Sequence, residues 1–225
     1  MEIFELNNLF NLFLLSLIAI VLVLAGLKKQ PGLGIIIAVV IIALQLFSQR
    51  RTLSEIGFNS PESWSQTLIL GMGLGIFIQI LAVVFIEPLT EKITGEKHDH
   101  SILNAVRGNW KIYLQWVVMV WLLVAILEEG VFRGYFITEM TNLFGKGFLA
   151  IVVAVILSSV VFGLSHGYQN KCGILSTGIV GIVLGIIFVL SEYNLWLVIF
   201  THGFIDTVGI GLIAIGFDEK LRILF

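Results

Sequence analysis

The sequence predicts an all-α fold, a polytopic bundle of about seven transmembrane helices forming one membrane domain over residues 1–225. Composition is the first ground: 58% of the residues are hydrophobic and 12% are charged, with a mean hydropathy of +1.02. A soluble domain carries about 25% charged residues, so this chain cannot cover itself with a polar surface. The second ground is that its apolar residues fall in runs of roughly 18 or more, the length a helix needs to cross a bilayer. The third is that only three prolines interrupt those runs.

The runs lie at about 8–27, 33–48, 65–87, 117–141, 147–167, 173–191 and 195–215. Before the first there is no basic n-region and no small-residue cleavage site, so it reads as a retained helix. Lys28-Lys29-Gln30-Pro31-Gly32 makes a short basic turn to the second. Residues 48–65 are polar, carry Arg50 and Arg51, and read as an amphipathic piece lying along the interface. The longest polar stretch, Glu87 to Gly108, holds Lys92, Lys97, His98, Asp99 and His100 and reads as a solvated loop. Trp110, Tyr113, Trp116 and Trp121 read as interface and packing aromatics. Glu139 reads as the end of the fourth span. Glycines 71, 73 and 75, and 178, 181 and 185, are spaced for close helix packing. Repeats, low-complexity tracts and linkers are absent from the sequence.

Seven spans divide the basic residues unevenly. One side holds Lys28, Lys29, Lys92, Lys97, Arg107, Lys111, Lys171, Lys220 and Arg222, and the other Arg50, Arg51 and Lys146. The positive-inside rule then predicts an external N-terminus and a cytoplasmic C-terminus. A net charge of −2 leaves no electrostatic footprint for nucleic acid. A single cysteine, Cys172, excludes an intramolecular disulfide and argues against a cysteine-based metal cluster.

Ionisable groups inside a span are expensive and mark sites. Three polar clusters stand in the apolar runs. The first is Glu128-Glu129-Gly130-Val131-Phe132-Arg133. Glu129 and Arg133 are i,i+4 neighbours on a helix and can neutralise each other, whereas Glu128 is about 100° around and lacks that partner. The second is Phe162-Gly163-Leu164-Ser165-His166, closing the fifth run. The third is Thr201-His202-Gly203-Phe204-Ile205-Asp206, where His202 and Asp206 share a face and the carboxylate can orient the ring. Carboxylates and histidines on three helices can build two kinds of site. A zinc-type ion could be held by Glu128, Glu129, His166 and His202 and activate water. Alternatively, without metal, Glu128 and His166 polarise water and His202 stabilises an oxyanion. No His-Glu-x-x-His is present.

In order and on successive helices, Glu128-Glu129-x-x-x-Arg133, Phe162-x-x-x-His166 and His202-x-x-x-Asp206 resemble the three motifs of the CPBP family, the CAAX-protease and bacteriocin-processing (Abi) intramembrane proteases. The stretch Thr52 to Phe58 also looks like a segment these proteins carry before the catalytic helices. The motif core covers residues 115–215. The resemblance implies a multi-pass protein of a bacterial cell membrane, an endopeptidase acting on CaaX-type prenylated proteins or bacteriocin leader-like peptides. By motif matching, Glu128 is the water-activating base, His166 completes that pair, and His202 with Asp206 forms an oxyanion- or metal-binding element. Glu129, Arg133 and Phe162 support the site. The last motif position is often asparagine in the prenyl-protein proteases and here is Asp206, which suits orienting His202 or binding a metal. The competing expectations are a non-catalytic immunity or scaffold protein that retains the site, and a proton-relay transporter. The latter would show inverted repeats, and the acidic pair has no counterpart in the first three spans.

Overall fold

The computed structural model describes residues 2–217, with side chains from Asn7 onward; Lys220 and Arg222 of the charge count lie outside it. Among the described residues the chain is helical throughout, without a strand. Seven helices are long and apolar enough to cross a membrane: α1 (Asn7–Leu27), α2 (Pro31–Ser48), α3 (Trp64–Thr94), α4 (Trp110–Phe144), α5 (Phe148–Ser165), α6 (Gly167–Leu190) and α7 (Leu195–Ala214). Their starts follow local chemistry. Ser63, Asn109 and Asn194 cap α3, α4 and α7 with a side-chain oxygen, and Pro31 opens α2, where a missing N–H costs nothing.

The spans agree with the hydropathy reading except that two run on. The stretch after Glu87 is not loop at once, because α3 continues to Thr94. The helix α4 spans 35 residues, about 52 Å at 1.5 Å per residue, well beyond a hydrocarbon core of about 30 Å. Both helices contain π-helical turns, at Ala82–Ile86 in α3 and at Val120–Val124 and Gly130–Ile137 in α4. Such turns are rare and concentrate at functional sites.

Packing is inverted relative to a soluble protein only at the surface. Phe47, Phe148 and Leu190 stand largely exposed, facing where lipid tails would be. Inside, Ile18, Leu22, Ala38, Phe132, Phe136, Phe188, Leu195 and Val198 form one core. The helices α3 and α7 press together at Gly71 and Gly75. A Cβ on Gly75 would lie 2.5 Å from the Thr201 carbonyl oxygen, so only glycine permits that approach. Gly73 faces open space, and Gly178 is not tightly covered, so the glycine pattern holds for only part of its members.

Residues 48–65, expected as an amphipathic piece, contain one short helical turn. Leu53–Ile56 is a single 3-10 turn with a Thr52/Glu55 capping box and Gly57 at φ +96°. Its end is driven into the bundle: Ile56 is buried, and Leu195 donates its backbone N–H to the Gly57 carbonyl at 2.9 Å. The backbone N–H of Thr52, then Arg51, hold the Glu55 carboxyl below its ordinary range. Glu139 does not simply end a span either. It is 1% exposed and forms an ion pair with Arg51, Oε1 to Nη2 at 2.6 Å, while α4 runs five residues further to Phe144. Gln45 of α2 accepts from the Tyr135 hydroxyl of α4 and donates to Asn11 Oδ1 of α1 at 2.9 Å. These polar ties fix the near ends of α1 and α2 against α4, the helix that carries the paired glutamates.

Candidate active site

The polar clusters of α4, α5 and α7 meet in the bundle interior. Glu129 is fully buried and Arg133 is 1% exposed, so each charge must be met at short range. Arg133 Nη1 donates to Glu129 Oε1 at 2.8 Å and Nη2 to the Gly181 carbonyl of α6 at 3.2 Å. The guanidinium lies over the Phe162 ring, 4.4 Å from its centroid. The i,i+4 pairing of the sequence is therefore real, and Phe162 is its apolar lid.

The third partner of this network is His202. Its Nδ1 lies 2.6 Å from the same Glu129 Oε1, and its Nε2 faces Asp206 Oδ2 at 3.5 Å. Sequence reasoning paired His166 with Glu128 and left His202 with Asp206; the structure also joins His202 to Glu129. Glu128 itself has no hydrogen bond or ion pair among the described residues and is partly exposed. The two adjacent carboxylates thus divide, one locked and one available.

His166 stands at the C-terminal end of α5, where the last backbone carbonyls lack intrahelical donors. Its Nδ1 is 2.8 Å from the Phe162 carbonyl. A carbonyl can only accept, so Nδ1 carries the hydrogen and Nε2 is the ring nitrogen left for another partner. The Phe162 ring meets the His166 ring edge-on at 4.7 Å and fixes its plane.

Glu128, Phe162, His166, His202 and Asp206 line one cavity of about 1110 Å³. That exceeds the roughly 300–1,000 Å³ of ordinary ligand pockets. Its walls are largely apolar, with Val83, Leu123, Val124, Leu127 and Leu184 among them, and its rim carries Lys29, Lys97, His98 and His100. Two of the three π-helical turns contribute wall residues.

Sequence reasoning missed Tyr168 and Gln169. The Tyr168 ring sits 5.5 Å from that of His166, and Gln169 Nε2 donates to its hydroxyl at 3.2 Å. Their only signal was proximity to His166. It also read His98 and His100 as solvated, whereas their side chains are 9% and 15% exposed against Glu87.

The residues expected to hold a metal fit one poorly. Glu128, Glu129, His166 and His202 do not supply three ligand atoms within 4.8 Å of one another. One oxygen of Glu129 is already shared by Arg133 and His202, and a guanidinium at that oxygen opposes a divalent cation.

The fold and this interior site define an integral membrane protein with a hydrolase-like constellation. The family model of type II CAAX prenyl endopeptidase Rce1-like proteins matches residues 109–208, the segment bearing all three motifs. Over those residues the chain resembles the type II CAAX prenyl endopeptidases, consistent with the CPBP family of CAAX proteases. No curated protein and no solved structure matches it.

Proposed function

We propose that the chain hydrolyses a peptide bond in prenylated CaaX-type proteins, with Glu128 activating the attacking water. The observation that carries this reading is that Glu128, unlike Glu129, has no hydrogen bond or ion pair among the described residues and lines the cavity beside His166 and His202. A carboxylate committed to Arg133 could not take a proton from water; an uncommitted one can. His166, held by the Phe162 carbonyl, presents Nε2 as a second acceptor for the same water. His202 is held by Glu129, and its Nε2 lies on the cavity side, from which an N–H would meet the developing oxyanion. Asp206 orients that ring. The donor set supports this metal-free arrangement over a catalytic zinc.

The substrate class rests on the cavity and the family. A large, mostly apolar cavity suits an isoprenoid chain together with the adjoining peptide, which a leader peptide alone would not need. Its rim lies at the bundle end that carries the lysine-rich turns, the cytoplasmic end by the charge bias, where CaaX termini are exposed.

The test is turnover of a farnesylated CaaX peptide by the purified protein in liposomes. Glu128→Gln is expected to lower kcat by at least about 10²–10⁴ while leaving thermal stability and peptide binding intact. Full turnover by that variant would sink the assignment, and a bacteriocin-immunity phenotype surviving it would favour the scaffold reading.

A further inference from the structure

We infer that Glu87, His98 and His100 form a binding site for one zinc-type divalent ion at the mouth of the cavity, separate from the hydrolytic residues. One ligand atom from each lies within 4.8 Å of the other two. The distances are informative. His98 Nδ1 is 3.5 Å from Glu87 Oε1, and His100 Nε2 is 3.8 Å from Glu87 Oε2. Both exceed the roughly 2.7–3.2 Å of an N–H···O hydrogen bond. They approach the edge of a tetrahedron about a zinc-type ion, about 3.3–3.4 Å for metal–ligand bonds near 2.0–2.1 Å. The three groups therefore surround a space more than they bond across it.

The tautomer of His98 points the same way. Its Nε2 is 3.3 Å from Gln169 Oε1, an amide oxygen that also accepts from Thr177 Oγ1 at 3.2 Å. Gln169 Nε2 is directed at the Tyr168 hydroxyl, which fixes the amide orientation. With hydrogen on Nε2, the Nδ1 lone pair of a neutral His98 faces a carboxylate oxygen, and a cation between them resolves that opposition. A histidine whose far nitrogen donates to an amide or carboxylate is the usual arrangement of a metal ligand. The two imidazoles lie nearly parallel, with centroids 4.2 Å apart and planes at 30°, so both can address one ion. Two imidazoles and one carboxylate form a donor set that suits zinc.

The ligands come from both sides of a joint. Glu87 sits in α3, while His98 and His100 lie in the segment that follows its end at Thr94. Glu91 Oε1 accepts the His98 backbone N–H at 3.0 Å and brings that segment back along the helix. Gln169 belongs to the start of α6, beside His166. A bound ion would clamp residues 95–100 to α3 and α6 across the cavity rim.

The full-length protein in detergent, stripped with a chelator, is titrated with zinc chloride and followed by calorimetry. One equivalent should bind with a Kd of about 1 μM or tighter. The double variant His98→Ala, His100→Ala should bind about 100-fold more weakly, and His166→Ala should bind as the parent does. No binding to the parent, undiminished binding to the double variant, or loss on His166→Ala each overturns the site. Should the double variant fold poorly, hydrogen exchange on the unmutated protein decides. Zinc should slow exchange roughly tenfold in residues 95–106 and the end of α3; exchange insensitive to zinc, or slowed only around Glu128 and His202, overturns the inference. Neither readout uses proteolysis, so its failure is distinguishable from failure of the protease reading.

Discussion

At the residue scale, Glu128 and Glu129 are chemically identical neighbours with opposite fates. Glu129 is enclosed between Arg133 and His202, so removing it strands a buried guanidinium. Glu129→Ala should therefore cost roughly 3–5 kcal/mol of stability, read as a large fall in melting temperature in detergent. Glu128→Ala should shift the melting temperature little, within about 0.5 kcal/mol, because Glu128 has no partner to lose. A similar loss from both variants would contradict the division of labour. Half of that division was legible in sequence. Spacing of four residues puts Glu129 on Arg133, since helical geometry relates positions within one helix. The contact of His202 with Glu129 joins residues 73 apart, and no periodicity reports which helices are neighbours. Hence the tie of His202 to Glu129 was not legible in the sequence.

At the element scale, the spans were legible because hydrocarbon thickness sets a length that composition must meet. The polar segments were not, because in water or at an interface a short polar sequence has many acceptable shapes. Residues 53–56 became a turn with only Ile56 buried, held by the backbone bond from Leu195 to Gly57 and by contact with Gly134, where a Cβ would lie 2.5 Å from the Ile56 carbonyl oxygen. The glycines of α3 show the same limit. Periodicity proposes Gly71, Gly73 and Gly75 alike, yet only two face α7. Gly75→Leu should destabilise the protein by about 1–3 kcal/mol through overpacking against Thr201 and Phe204, whereas Gly73→Leu should change it by less than about 0.5 kcal/mol. Thermal denaturation of the pair checks this, and equal effects would refute the packing.

At the scale of the whole molecule, the two ends of the bundle differ in charge among the described residues. The turns at Lys28, Lys97 and Lys171 lie together: Asn170 Nδ2 donates to the Lys97 carbonyl at 2.6 Å, and Lys171 pairs with Glu96 at 2.9 Å. Lys146 lies at the other end, 5.6 Å from the Tyr193 ring. Among the described residues seven basic side chains stand on the first side and three on the second. In a Cys172→Ser background, a cysteine replacing Lys146 should react with a membrane-impermeant maleimide in intact cells. One replacing exposed Lys171 should react only after permeabilisation. The reverse pattern would invert the topology and move the cavity mouth to the external face.

The π-helical turn at Gly130–Ile137 has a consequence for how this chain can change. Each residue in a helix advances the face by about 100°, and a π turn holds one residue more than its α counterpart. Deleting a single residue there would let the helix relax to ordinary winding and rotate everything beyond it against the acid pair. Arg133, Tyr135 and Glu139 would leave Glu129, Gln45 and Arg51 together, although no side chain in those pairs had been replaced. In this stretch the count of residues carries as much information as their identity, so insertions and deletions are constrained even where substitutions are tolerated.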